Sequence, residues 1–302
     1  VAWWLDLADD PPYAVQLIEG DPDLIAVWGT PQEVRFYAQT NGAEYGRLAV
    51  NSPATLNGTA WREFLDTLRA PNGACLPVVE AANLVIHTSH DGRFRVYQEG
   101  GKSLVLDLDG HRVVLDRSGE ATFVTVGLDR ELGTLAAVDA DKLLHIYQQH
   151  VYVGAFPLTI QGDPHDWIVL LPDWSDTVIV ATSGSIQRFE LAGQLAGLLE
   201  LPAEICSAAI SPDGRWIVTA DRHQPVLRVY DSGFHLICQE NAWTLWSDTP
   251  QVQLLAAAPF MDARPGSLAA GRDGTLVFSL GGGLCVTHID RLTPVPQPRT
   301  LF

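Results

Sequence analysis

The alternation of hydrophobic and polar positions is clearest between residues 204 and 233. Residues 205–210 are small and apolar, Ser211-Pro212-Asp213-Gly214 is a turn signal, and 216–220 are apolar again. A second turn through 221–225 leads into Val226-Leu227-Arg228-Val229-Tyr230, where apolar and polar side chains alternate. Successive side chains leave a strand on opposite sides, so this alternation marks a half-buried strand. The stretch predicts three short strands joined by tight turns.

The alternating strand with its terminal aromatic returns along the chain. Val34-Arg35-Phe36-Tyr37, Phe94-Arg95-Val96-Tyr97 and Leu144-His145-Ile146-Tyr147 match it, and Ile186-Gln187-Arg188-Phe189 and Thr275-Leu276-Val277-Phe278 are poorer copies. The aromatic positions step by 60, 50, 42, 41 and 48 residues. Companion strands precede them at 24–28, 84–88, 135–138, 178–181, 216–220 and 268–271. Innermost strands are expected at 13–18, 75–79, 123–127, 167–171, 205–210 and 252–259. Outer strands are expected at 45–50, 103–108, 151–158, 195–201, 234–239 and 284–289.

Six four-stranded units at this spacing predict an all-β fold, a single β-propeller of about six blades spanning residues 1–302, with seven blades as the alternative. A further strand at 2–7 either completes the last blade, moving 284–289 one place inward, or joins the tail 293–302 in a reduced seventh blade. Either arrangement covers an exposed sheet edge. One non-repeating piece, about 57–70, places Trp61, Phe64, Leu65 and Leu68 at helical spacing. This helical insertion either packs on its own propeller or docks a partner.

The unit at 204–233 resembles a blade of the WD-repeat and YVTN-type propellers. Thr219, Asp221 and Tyr230 stand where that family has a second-strand hydroxyl, a turn aspartate and a third-strand aromatic, and Tyr230-Asp231 stands where it has Trp-Asp. Blades two (Thr88, Asp91, Tyr97) and three (Asp139, Asp141, Tyr147) match more loosely. In the family the turn aspartate bonds its own turn and a histidine from the preceding loop. With no Gly-His pair assigned ahead of any blade, the network is expected to lack that histidine. The resemblance implies scaffolding: a ring that presents loops and edges to other proteins.

Charge narrows the partners. The net charge of −17 and the lack of a basic cluster argue against nucleic acid, whose affinity is carried by Lys and Arg. No apolar run approaches the length of a membrane span, so direct membrane insertion is not expected. Cys75, Cys206, Cys238 and Cys285 lie far apart with no C-x-x-C pair. Buried reduced thiols are therefore expected rather than zinc ligands, and with them a cytoplasmic location.

No pattern for chemistry emerges. His87 and His90 lie three apart on a strand and turn, where odd spacing sends side chains to opposite faces and not to a shared ion. Ser183-Gly184-Ser185 and Gly281-Gly282-Gly283 read as hairpin turns, neither nucleophile elbow nor phosphate cradle. No cofactor, metal site or catalytic residue is assigned. The candidate partner-binding residues are those of the turns expected between second and third strands: Trp28, His90, Asp139, Asp141, Arg222 and His223. Aromatic and Arg side chains dominate interface energetics, which favours a protein partner there. The rival expectation is a six-bladed, metal-dependent hydrolase of the lactonase and esterase kind, or small-ligand binding at the channel mouth. The first needs several inward oxygen ligands, and the expected inner strands are nearly free of carboxylates.

Overall fold

A computed structural model describes residues 2–7, 14–18, 23–28, 33–49, 83–88, 94–99, 103–108, 111–114, 123–129, 134–148, 151–173, 175–246, 268–280 and 283–296. After β1 (Trp3–Asp6), blade one comprises β2 (Ala14–Ile18), β3 (Leu24–Trp28), β4 (Glu33–Ala38) and β5 (Glu44–Ala49). Blade two comprises β6 (Asn83–Thr88), β7 (Phe94–Glu99), β8 (Ser103–Leu108) and β9 (His111–Val114). Blade three has β10 (Phe123–Leu128), β11 (Thr134–Asp139), β12 (Leu143–Gln148) and β13 (Val151–Pro157).

Blade four has β14 (Ile168–Leu170), β15 (Thr177–Ala181), β16 (Ser185–Glu190) and β17 (Leu195–Glu200). Blade five has β18 (Ile205–Ile210), β19 (Trp216–Asp221), β20 (Val226–Asp231) and β21 (Leu236–Asn241). The last sheet runs β22 (Leu268–Ala270), β23 (Thr275–Leu280), β24 (Gly283–His288) and then β1. All pairings are antiparallel, and the first strands pack side by side in the order β6, β10, β14, β18, β22, β2. The fold is an all-β propeller with six sheets among the described residues.

The core lies between neighbouring sheets. In β15, Val178 and Val180 join the cluster shared with blade three, whereas Ile179 and Ala181 join the cluster shared with blade five. Both faces of a second strand are therefore buried, which is why β11, β15 and β19 read as nearly continuous apolar runs. Each buried Val, Leu or Ile contributes about 1.5–3 kcal/mol of transfer free energy. The expected Ser211–Gly214 turn is present: Gly214 takes φ +70°, and the Ser211 hydroxyl donates to Asp213 Oδ1 at 2.7 Å. A side chain at 214 would be strained there.

Four of the repeated aromatics share one local device. Tyr37, Tyr147, Phe189 and Tyr230 are buried, each at a register shift between the third and fourth strands of its blade. The extra residue in the fourth strand bends it and increases the local twist.

Two blades are phased differently from the sequence reading. In blade two, 83–88 is the innermost strand of the sheet and not the second, so Phe94–Glu99 is second and 103–108 third. The outer strand His111–Val114 was not anticipated. His111, the second residue of a Gly-His pair in the sequence, begins this strand. In the last sheet Leu268–Ala270 is innermost and Thr275–Leu280 is second, so Phe278 is not a third-strand aromatic. An alternating pattern marks a strand but carries no record of its place in the blade. The stretches 75–79 and 252–259, and the helical insertion about 57–70, lie outside the described residues.

The N-terminal strand completes the last sheet, and 283–288 moves one place inward. Among the described residues the tail does not form a seventh blade with it. Instead β25 (Thr293–Pro294) adds to β21 as a fifth strand of blade five. At the closure, Trp3 Nε1 donates to the Gln39 carbonyl of blade one at 2.9 Å, and its ring rests on Gly42, which takes φ +71°. Gln39 Nε2 returns a bond to Thr275 Oγ1 at 2.9 Å. Trp4 lies directly on Gly283, where a Cβ would fall 2.2 Å from its Nε1.

Candidate functional site

The second-to-third-strand turns of blades three and five are built on one plan. In each, the second strand ends in a buried aspartate, Asp139 or Asp221. In each, the third residue of the next strand is a cationic or titratable group, His145 or Arg228. Asp139 Oδ2 lies 2.8 Å from His145 Nε2, while its Oδ1 accepts from the amides of Asp141 at 3.0 Å and Leu143 at 2.9 Å. Lys142 completes the turn at φ +64°, donating its amide to the Asp139 carbonyl at 3.1 Å. In blade five Arg228 Nη1 donates to Asp221 Oδ1. Burial raises the Asp221 pKa above the usual carboxylate range, against the lowering effect of Arg228.

The partner of the turn aspartate thus comes from the third strand of the same blade, through a hairpin that brings the two together. The sequence does show this once the register is known: an acid closes one strand, and a basic side chain, His145 or Arg228, stands two residues inside the next. Blade four has neither, with Ala181 and Gln187 near the same places.

The six residues picked from the sequence do not form one group. Asp139 is buried and directed into its own turn, so it offers no carboxylate to a partner. Asp141, in the same turn, is exposed. Arg222 is half-buried, with its amide bonded to the Glu204 carbonyl at 2.7 Å. His223 is exposed, its Nε2 3.3 Å from Glu204 Oε2. Trp28 ends β3, with its backbone opposite Ala14 and Val34. His90 lies outside the described residues. Its connection joins β6 to β7, the first and second strands of that sheet, so it belongs with a different set of turns from Asp141 and Arg222.

The first-to-second-strand turns hold features the sequence reading missed. Asp129 is fully buried just after β10. Asp173, after β14, accepts from Arg272 Nη2 of the last sheet at 2.8 Å, and its amide bonds the Pro212 carbonyl of blade five at 2.7 Å. Blades four, five and six are tied there. Among the described residues no three His, Cys, Asp or Glu side chains converge as a metal ion would require. Nor is any helix among them long and apolar enough to cross a membrane.

No family model matches the chain, and no curated protein matches it in sequence. Solved structures do. The chain is similar to the β-propeller domain of Myceliophteria thermophila Cps50 (Swd1), with a TM-score of 0.57 and 10% identity over 92% of this chain and 96% of that one. It is also similar to Chaetomium thermophilum Raptor, with a TM-score of 0.55 and 10% identity. The likeness is one of fold. The match to Raptor covers 94% of this chain but only 23% of that larger protein.

Proposed function

We propose that this chain is a non-catalytic protein-interaction scaffold, working as a propeller subunit or domain of a larger assembly. The supporting observation is the blade-five turn: Arg228 holds Asp221 inside, and the adjacent Arg222, half-buried, and His223, exposed, sit on a backbone held by the Arg222 amide bond to Glu204 and the Val226 amide bond to Gln224. A loop held this way loses little conformational freedom on binding, which favours association. The likeness to propeller domains such as that of Swd1 supports the same reading at the level of architecture.

Affinity capture from native extract tests it. A stoichiometric protein companion supports the scaffold, and turnover by the isolated chain with no companion overturns it. The rival hydrolase needs several free inward carboxylates, whereas Asp173 is engaged by Arg272. A melting temperature that rises by several degrees with calcium and falls with chelator would favour that rival.

A further inference from the structure

The exposed large hydrophobic residues among those described lie on the outer strands of two adjacent blades. Val151 (61% exposed) and Val153 (49%) are on β13, and Leu195 (54%) and Leu198 (53%) are on β17. The two strands meet through Phe156 of β13, which lies against Gly193 in the turn leading into β17. An apolar patch on an outer wall, bordered by an unpaired strand edge, invites another strand.

Blade five shows how such an edge is covered. Aligned on their register shifts, Phe189↔Leu195 in blade four corresponds to Tyr230↔Leu236 in blade five. Gly197 and Leu198 then correspond to Cys238 and Gln239, the two residues that pair with Pro294 and Thr293 of β25. Next to that pairing the Val295 amide donates to the Ile237 carbonyl at 2.8 Å. In blade four the same stretch of edge carries no added strand among the described residues, and an exposed Leu stands where blade five has Gln. Charge indicates the occupant. Of the six Asp or Glu in residues 151–201, Asp173 is paired with Arg272, while Glu200 on β17 and Glu190 at the end of β16 are exposed with Asp163, Asp166 and Asp176. The single Arg of that range, Arg188, is held over the Phe234 ring of blade five, donating to the Ser232 carbonyl.

We propose that the outer edge of β17 takes up an extended segment of a partner protein as a fifth strand, seated across Gly197 and Leu198, with apolar residues alternating with Lys or Arg. This rests on the interaction reading above and names its surface and the chemistry of its partner. Backbone bonds along the edge supply affinity, Leu195 and Leu198 cover the apolar positions, and the acidic surroundings select the basic ones. A second copy of this chain is disfavoured as occupant by its net charge of −17.

The test uses the whole chain and a fluorescent peptide, Lys-Val-Lys-Val-Lys-Val-Lys, with its Glu-for-Lys counterpart as control. Saturable binding of the basic peptide is expected, weakened about tenfold or more by Leu198→Glu and for the acidic peptide. Leu198→Gln, which installs the blade-five residue, is expected to weaken it less, and Arg215→Ala, at an exposed arginine of blade five, not at all. Unchanged melting of Leu198→Glu shows that the loss is not unfolding. The proposal is overturned by no saturation up to about 1 mM, by indifference to Leu198→Glu, or by equal binding of the two peptides. It is also overturned by a homodimer in sedimentation that Leu198→Glu dissolves. Should Arg222→Ala, but not Leu198→Glu, remove a partner captured from extract, the edge site fails while the scaffold reading stands.

Discussion

Asp139 and His145 lie 2.8 Å apart across the second hairpin of blade three, both buried, and Asp221 and Arg228 meet in the equivalent place in blade five. A carboxylate withdrawn from water needs a compensating partner or enough donors. Each blade draws that partner from its own third strand, so the clasp closes a hairpin without help from a neighbouring loop. In the turns that carry Asp141, Arg222 and His223, the aspartate that ends the preceding strand is anchored inside.

Removing Arg228 should therefore cost far more than removing a surface arginine. Arg228→Met leaves the Asp221 carboxylate buried and uncompensated, and is expected to lower stability by about 3–5 kcal/mol. Adding Asp221→Asn should restore much of the loss. Urea midpoints of the two single variants and the double variant check this, since additive losses would mean that the pair does not interact.

Arg222→Ala and His223→Ala, one and two residues along, should change stability by no more than about 0.5 kcal/mol. Both should weaken capture of a protein partner. Trp28→Ala is expected to do the same. A large drop in melting temperature would mark the residue as structural instead.

Ring closure depends on two tryptophans. Gly283→Ala would place a methyl against the Trp4 indole and is expected to destabilise by about 1–3 kcal/mol through overpacking. Trp3→Ala removes the bond to Gln39 and the ring over Gly42, for a loss of about 2 kcal/mol or more. Thermal melts should show both losses, and amide exchange should rise first in β1 and β24.

Burial pushes the Cys206 and Cys238 thiols from their ordinary 9.0 up to about 11. Their folded-state values lie above the unfolded ones, so this contribution is complete below about pH 9 and is lost as pH climbs towards 11. Tyr230, raised by burial, has the same sign. The urea midpoint should fall between about pH 9 and pH 11, and less steeply in a Cys206→Ala/Cys238→Ala variant. At about pH 8 roughly one thiol in a thousand is ionised at either site, so alkylation of the native protein should be slow.

Local pattern was enough to recognise this protein as rows of short antiparallel strands. A half-buried strand must alternate, a doubly covered strand must be continuously apolar, and a tight turn needs residues such as Asp213-Gly214. These demands act within a few residues of one another, so they are written in the order of the chain. Blades one, three, four and five were legible to within a residue or two for this reason.

The three-dimensional packing decided the rest. Whether 83–88 is a first or a second strand depends on which sheet covers it, and no neighbour in sequence records that. The same holds for β1, which crosses the whole chain to lie beside β24, and for β25, which returns to cover β21 while the matching edge of β17 carries no added strand among the described residues. Asp139 and Asp221 looked like loop carboxylates until register placed His145 and Arg228 opposite them. Pairing across a fold is set by long-range contact, and a single sequence states only what each partner would accept.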